Sequence, residues 1–189
     1  MKALVRWGSS LILISLLSFS VAQGIGSSAK DFNLLDENGE LIQLSDFAGT
    51  PLILNFWATW CAPCIEELPF FEQIHDDVNV ESEEGESALN VLLVNNNESA
   101  EKASAFLRDE LEISLPVALD ATKEQLGSFR DEGVTLDNTL RVLKDYRVRG
   151  MPTTFFIDAD GIIQGVKIGF LLPSEMPDLL ASIGLEWQP

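Results

Sequence analysis

Cysteine is almost missing from this chain: there are two, Cys61 and Cys64, with two residues between them. A structural disulfide gains most by closing a long loop, because its stabilisation grows with the logarithm of loop length. A bridge between these two closes almost none, so the pair is a poor staple and reads as a reagent. Histidine is scarcer still, with His75 alone. Zinc needs about four ligands, and two cysteines with one distant histidine fall short, which argues against a zinc site. A single histidine near a helix end reads as an ordinary residue. Positive charge is thin as well, 12 Lys and Arg against 30 Asp and Glu, a formal net charge of −18. Such a surface repels nucleic acid and anionic lipid. Acidic runs such as the one from Glu81 to Glu86 read as solvated loops that serve solubility. Internal repeats and low-complexity linkers are also lacking.

What remains is 189 residues with 46% hydrophobic content, enough for one domain with a sizeable core. The N-terminus reads differently from the rest. Lys2 and Arg6 precede the apolar run from Leu11 to Leu17, and the small-residue pattern Ser20-Val21-Ala22 follows. This is the layout of a secretory signal over residues 1–22, with cleavage after Ala22, and it places the domain of residues 30–186 in the periplasm or otherwise outside the cytoplasm. An uncleaved anchor is the alternative, since the stretch from Trp7 to Ala22 is nearly free of charge. That stretch is short of the roughly 20 residues of a bilayer span, and three serines dilute it. Cleavage would remove Lys2 and Arg6 and take the net charge to −20.

Along the mature chain, the segments 31–35 and 41–44 flank an Asn38-Gly39 turn signal and predict an N-terminal β-hairpin. The apolar run from Pro51 to Trp57 predicts a strand buried on both faces. From Ala62 to about His75, Ile65, Leu68, Phe71 and Ile74 recur at helical spacing, so the cysteines sit where a strand feeds a helix. Residues 89–94 predict a second buried strand, Ser99 to about Leu111 a second helix, and 115–119 a short edge element. The region 122–148 reads as mostly helical with an interruption near Gly133. Segments 153–157 and 162–168 enclose an Asp160-Gly161 turn and predict a second hairpin. A last helix runs from about Pro173 to Ile183 with Ser174 as its cap. The order predicts a mixed sheet with helices on both faces.

A Cys-x-x-Cys at a helix start has a mechanism behind it. Unpaired backbone N–H groups and the helix dipole favour thiolate over thiol, most strongly for Cys61 at the very end. The Cys61 thiolate then attacks a disulfide, and Cys64 resolves the mixed disulfide that results. Pro63 is tolerated in the first helical turn, where its missing N–H removes no intrahelical bond. Pro69 would remove the bond to the carbonyl of Ile65 and kink the helix.

The segment Asn55-Phe56-Trp57-Ala58-Thr59-Trp60-Cys61-Ala62-Pro63-Cys64, with Pro69 and Val148-Arg149-Gly150-Met151-Pro152-Thr153-Thr154, resembles thioredoxin, most of all its exported TlpA/ResA/CcmG-like branch. The resemblance runs from about Lys30 to the C-terminus. It implies an α/β thioredoxin fold, a central mixed β-sheet flanked by helices with an N-terminal β-hairpin extension. It implies a thiol:disulfide oxidoreductase acting on exported proteins with cysteine pairs, as a reductant, with cytochrome c maturation as one setting. Its only redox group is the Cys61–Cys64 disulfide, with no cofactor and no metal. A membrane electron donor of the DsbD/CcdA type and a monomeric state follow from the same resemblance. By position, Met151-Pro152 matches the family's cis-proline, which binds extended substrate beside the cysteines; a plain turn proline is the alternative. Trp60 and Pro63 join Met151 and Pro152 at the substrate, whereas Trp57 reads as core. Where cytoplasmic thioredoxin has a buried aspartate, this chain has Asn55, which takes up no proton. Glu67 matches the glutamate that ResA-like proteins carry three residues after the second cysteine. Desolvated there, it would have a raised pKa and shuttle the Cys64 proton; a solvent-facing residue like Glu66 is the alternative.

Two other classes share this fold. A peroxiredoxin-like peroxidase would carry Thr or Ser three residues before its cysteine and Pro seven before, where this chain has Ala58 and Leu54. A metallochaperone of the SCO type would space its cysteines by three and add a distant histidine.

Overall fold

The computed structural model describes residues 23–80, 87–126 and 140–188. The signal segment, the acidic loop at 81–86 and the interruption near Gly133 lie outside them. Seven strands form one sheet: β1 (Asn33–Asp36), β2 (Leu41–Gln43), β3 (Leu52–Trp57), β4 (Asn90–Asn96), β5 (Val117–Asp120), β6 (Thr153–Ile157) and β7 (Ile163–Ile168), in the order β2-β1-β5-β4-β3-β6-β7. The helices are α1 (Ala62–Asn79), α2 (Ala100–Ala105), α3 (Lys123–Leu126), α4 (Arg141–Asp145) and α5 (Met176–Ser182).

Strand β3 lies inside the sheet, parallel to β4 and antiparallel to β6, and all six of its residues are buried. Period-two alternation divides them between two cores. Ile53 and Trp57 join one cluster with Leu68, Phe71 and Ile74 of α1, Ala100 and Ala103 of α2, and Met176 and Leu180 of α5. Leu52, Leu54 and Phe56 join the other, with Phe32, Val142, Tyr146 and Phe155. In that second core the Phe56, Tyr146 and Phe155 rings meet with centroids 5.1–5.9 Å apart. Helices therefore cover both faces, as the alternation and element order predict. Both hairpins form: Asp36 donates its N–H to Glu40 O across the Asn38-Gly39 turn, and Gly161, at φ +77°, turns β6 into β7.

Three expectations need correction. Strand β5 is not an edge: it pairs parallel to β4 on one side and antiparallel to β1 on the other, and all four residues are buried. The N-terminal hairpin supplies the outer strands, a long-range pairing that local periodicity does not encode. The second helix fills the expected stretch, but its last part, Phe106–Glu110, is π-helical rather than α-helical. Ser174 does not cap α5; residues Pro173–Glu175 form a 3-10 turn instead. There the Glu175 carboxylate accepts the Leu172 N–H at 2.9 Å and pairs with Lys167 of β7 at 2.6 Å. Helix α1 runs through Pro69 to Asn79, four residues past His75. No helix among the described residues is long and apolar enough to cross a membrane.

Candidate active site

Strand β3 ends at Trp57, and the chain turns so that the Cys61 N–H donates to Ala58 O at 3.1 Å. Cys61 is the N-cap of α1 in extended conformation, and its carbonyl accepts the N–H groups of Cys64 and Ile65. Both cysteines thus sit at the N-terminal end of α1, where the helix dipole favours a thiolate. Cys61 and Cys64 form a disulfide with Cα atoms 5.3 Å apart. Cys64 is fully buried and Cys61 retains 5% of its surface, so an incoming thiolate has access to Cys61 alone. Pro63 is exposed in the first turn, Trp60 stands 64% exposed before the pair, and Trp57 is buried against the Phe106 ring.

Glu67 follows Cys64 by one helical turn and is 1% exposed, whereas Glu66 faces solvent. Its Oε1 accepts from Asn55 Nδ2 at 2.8 Å and its Oε2 from the Leu171 N–H at 3.0 Å. Burial pushes its pKa up to about 7, against the lowering pull of the Leu171 N–H, the Asn55 amide and the Lys167 charge. Asn55 Nδ2 also donates to Thr154 Oγ1, its cross-strand partner, at 2.9 Å. The residue that replaces the proton-accepting aspartate thus directly holds the carboxylate offered in its place.

The Met151–Pro152 bond is cis. Because Thr153 pairs with Phe56, Pro152 comes level with the end of β3, and Met151 packs on the cluster that contains both cysteines. The Gly169 N–H donates to Pro152 O at 2.8 Å and ties this corner to the end of β7. Beside it, Ile168 and Leu172 are 67% and 50% exposed and, with Trp60, give the site an apolar margin.

Sequence reasoning missed a second buried carboxylate. Glu98, 5% exposed, accepts from the Thr59 N–H at 2.8 Å, Thr59 Oγ1 at 2.7 Å, Asn95 Nδ2 at 3.0 Å and Lys102 Nζ at 2.5 Å. Burial alone would raise its pKa, but these donors outweigh it and hold the carboxyl below the usual range. Glu98 thereby fixes the turn that carries Cys61. The only local signal was an acid just past a strand end, and its partner Thr59 lies 39 positions away. Asp120, at the end of β5, is also buried; burial raises its pKa to about 6 although it accepts the Leu143 N–H of α4. His75 lies on the outer part of α1 against Asp76, far along the helix from the cysteines. Among the described residues no three His, Cys, Asp or Glu side chains converge to hold a metal.

The family model described as AhpC/TSA matches residues 25–166. The thiol-disulfide oxidoreductase ResA of Bacillus subtilis is 29% identical over 188 residues, covering 95% of this chain and 92% of its own. Among solved structures, a thiol:disulfide interchange protein of the DsbE kind from Chlorobium tepidum superposes with a TM-score of 0.65 at 26% identity, over 86% of this chain and all of its own. The exposed lipoprotein thioredoxin Etrx1 of Streptococcus pneumoniae gives 0.58 at 27% identity, over 80% of this chain and 98% of its own.

Proposed function

The chain belongs to the AhpC/TSA family, and from that premise we propose that it is an extracytoplasmic reductant of protein disulfides, with Cys61 as nucleophile and Glu67 as proton acceptor. It is a thiol:disulfide oxidoreductase of thioredoxin fold, and its substrates are proteins with cysteines. The observation that carries the proposal is a disulfide at the N-terminus of α1 with a buried carboxyl one turn later, whose pKa burial raises to about 7.

In the reduced chain the Cys61 thiolate attacks one sulfur of a substrate disulfide. The S–S bond breaks, the departing substrate sulfur takes a proton, and a Cys61 mixed disulfide forms. Cys64 then loses its proton to Glu67 and attacks Cys61 Sγ; the bond to the substrate breaks, the second substrate sulfur leaves as a thiolate that takes a proton from solvent, and the Cys61–Cys64 disulfide remains. Two electrons have passed to the substrate. A dithiol donor in the membrane, of the DsbD/CcdA type, restores the reduced pair. Met151, Pro152, Trp60 and Pro63 receive the substrate chain as it approaches Cys61. Export is supported by the signal-like residues 1–22 and by the exposed location named for the pneumococcal relative. Apocytochrome c is one substrate class that fits such a reductant. A peroxidase reading gains nothing here, because Ala58 and Leu54 occupy the positions that would carry its hydroxyl and proline.

Insulin reduction with dithiothreitol tests the exchange step. Cys61→Ser abolishes turnover, while Cys64→Ser accumulates mixed disulfides that gels resolve; wild-type rates in both variants would refute the assignment. Alkylation trapping in intact cells tests direction. A largely reduced pair in an oxidising compartment marks an electron donor, and a largely oxidised pair marks an oxidant.

A further inference from the structure

Among the lysines and arginines whose side chains are described, Lys30 and Arg141 pair with Asp145, Lys102 with Glu98, Arg108 with Glu37 and Lys167 with Glu175. Lys144, Arg147 and Arg149 are exposed and pair with no carboxylate among the described residues. In a chain with 30 acids and 12 bases, a cation without a partner is the exception, and these three fall within six consecutive positions. That stretch runs directly into Met151 and Pro152. An extended chain advances at most about 3.6 Å per residue, so Arg149 starts within about 7 Å of Met151 and Arg147 within about 14 Å. Met151 packs on the cluster holding both cysteines, and Trp60, Ile168 and Leu172 are the exposed apolar side chains near the same corner. The stretch that leads into the Met151 corner is therefore cationic, and the corner itself carries exposed apolar side chains.

We propose that Lys144, Arg147 and Arg149 dock acidic residues that flank the cysteine pair of the substrate protein, so that the chain selects disulfides set in acidic sequence. The inference rests on the exchange reading above. A substrate sulfur in line with Cys61 carries its flanking residues out past the Met151 corner, and carboxylates a few positions away come within reach of the strip. Arginine is suited to this contact because its planar fork binds a carboxylate with two parallel hydrogen bonds. Screening limits the attraction to roughly 8 Å at physiological salt. The strongly negative remainder of the surface repels an acidic partner, so only one correctly seated at the site gains from the strip. An anionic membrane is the weaker candidate, since three cations at about 1 kcal/mol each face the repulsion of a globule with net charge −18.

The test is the rate at which the reduced protein reacts with peptides that carry one identical disulfide loop flanked by Asp/Glu, by Ser or by Lys. At physiological salt, where the repulsion of the negative remainder is screened beyond about 8 Å, the acidic peptide reacts faster than the lysine peptide by about ten-fold, and 0.5 M NaCl brings the ratio towards one. Arg147→Gln/Arg149→Gln lowers that ratio to one or below, and Arg149→Gln alone lowers it part of the way. The ratio is read rather than the rate, so a general loss of reactivity does not imitate the effect. An unchanged ratio in the double variant, or a wild-type preference for the lysine peptide, overturns the proposal. Reaction with all three peptides at equal rates overturns it while leaving disulfide exchange intact; reaction with none removes the exchange reading too. Sedimentation with phosphatidylglycerol vesicles that the double variant loses, with no peptide preference, assigns the strip to lipid and also overturns it.

Discussion

Asn55 has one amide oxygen buried without a partner, while its nitrogen serves Glu67 and Thr154. An ionised Glu67 needs donors and has them in Asn55 Nδ2 and the Leu171 N–H; a protonated Glu67 needs an acceptor, and turning the Asn55 amide over supplies one. The hydroxyl of Thr154 can donate or accept, so it follows either orientation. An aspartate at position 55 would place a second buried negative charge against Glu67, so the asparagine and the glutamate are complementary choices. The unfolded chain releases the Glu67 proton near 4.5 and the folded chain keeps it to about 7. Between those values the folded state binds more protons, and stability falls as pH rises. The difference corresponds to about 3 kcal/mol. Glu67→Gln cannot ionise, so urea unfolding should find the variant more stable than wild type at pH 8 by up to that amount, with the gain shrinking towards pH 4.5. A stability difference that does not change with pH would show that Glu67 titrates normally.

Helix α1 carries both cysteines at one end, and at its other end Asn79 bonds on both sides of the segment that follows. Asn79 donates to His75 O at 2.8 Å and to Leu89 O at 2.9 Å, and accepts from the N–H groups of Ala88 and Leu89 at 2.7 and 3.1 Å. It thereby joins the helix end to the entry of β4 across the acidic segment 81–86. Replacing Asn79 by Ala leaves several part-buried groups without partners, a cost of about 2 kcal/mol, to be read as a lower urea midpoint at unchanged m-value. The active-site end of α1 is legible in the sequence, because Cys-x-x-Cys after an apolar run marks a strand-to-helix junction. The Asn79 clamp is not, because its partners Ala88 and Leu89 lie nine and ten positions on, and no local pattern pairs them with it. The same distinction explains β5, whose short apolar run matches an edge or an interior strand equally well until β1 is placed against it.

At the scale of the whole molecule, a net charge of −18 works against compaction. The described ion pairs mostly involve half-exposed or exposed side chains, where each contributes under about 1 kcal/mol. Added salt screens the self-repulsion more than it weakens those pairs. The thermal midpoint of the oxidised chain should therefore rise by several degrees between 10 mM and 0.3 M NaCl. A midpoint that falls would mean that the Glu98–Lys102 and Glu37–Arg108 contacts outweigh the general repulsion.

The sequence by itself determined what depends on neighbours along the chain. The cysteine spacing fixed a reagent rather than a staple, periodicity fixed the strand and helix that meet at Cys61, and two turn signals fixed the hairpins. Asn55, set against the aspartate of the thioredoxins it resembles, pointed to a proton acceptor at another position. Tertiary structure alone decided which of two adjacent glutamates is buried, because packing of α1 on the sheet turns Glu67 inward against Asn55 and leaves Glu66 in water. It alone brought Glu98 to Thr59, and it alone left Lys144, Arg147 and Arg149 without an acid among the described residues while every other described Lys or Arg side chain found one. Burial and long-range pairing depend on where distant segments meet, and local composition carries no record of that.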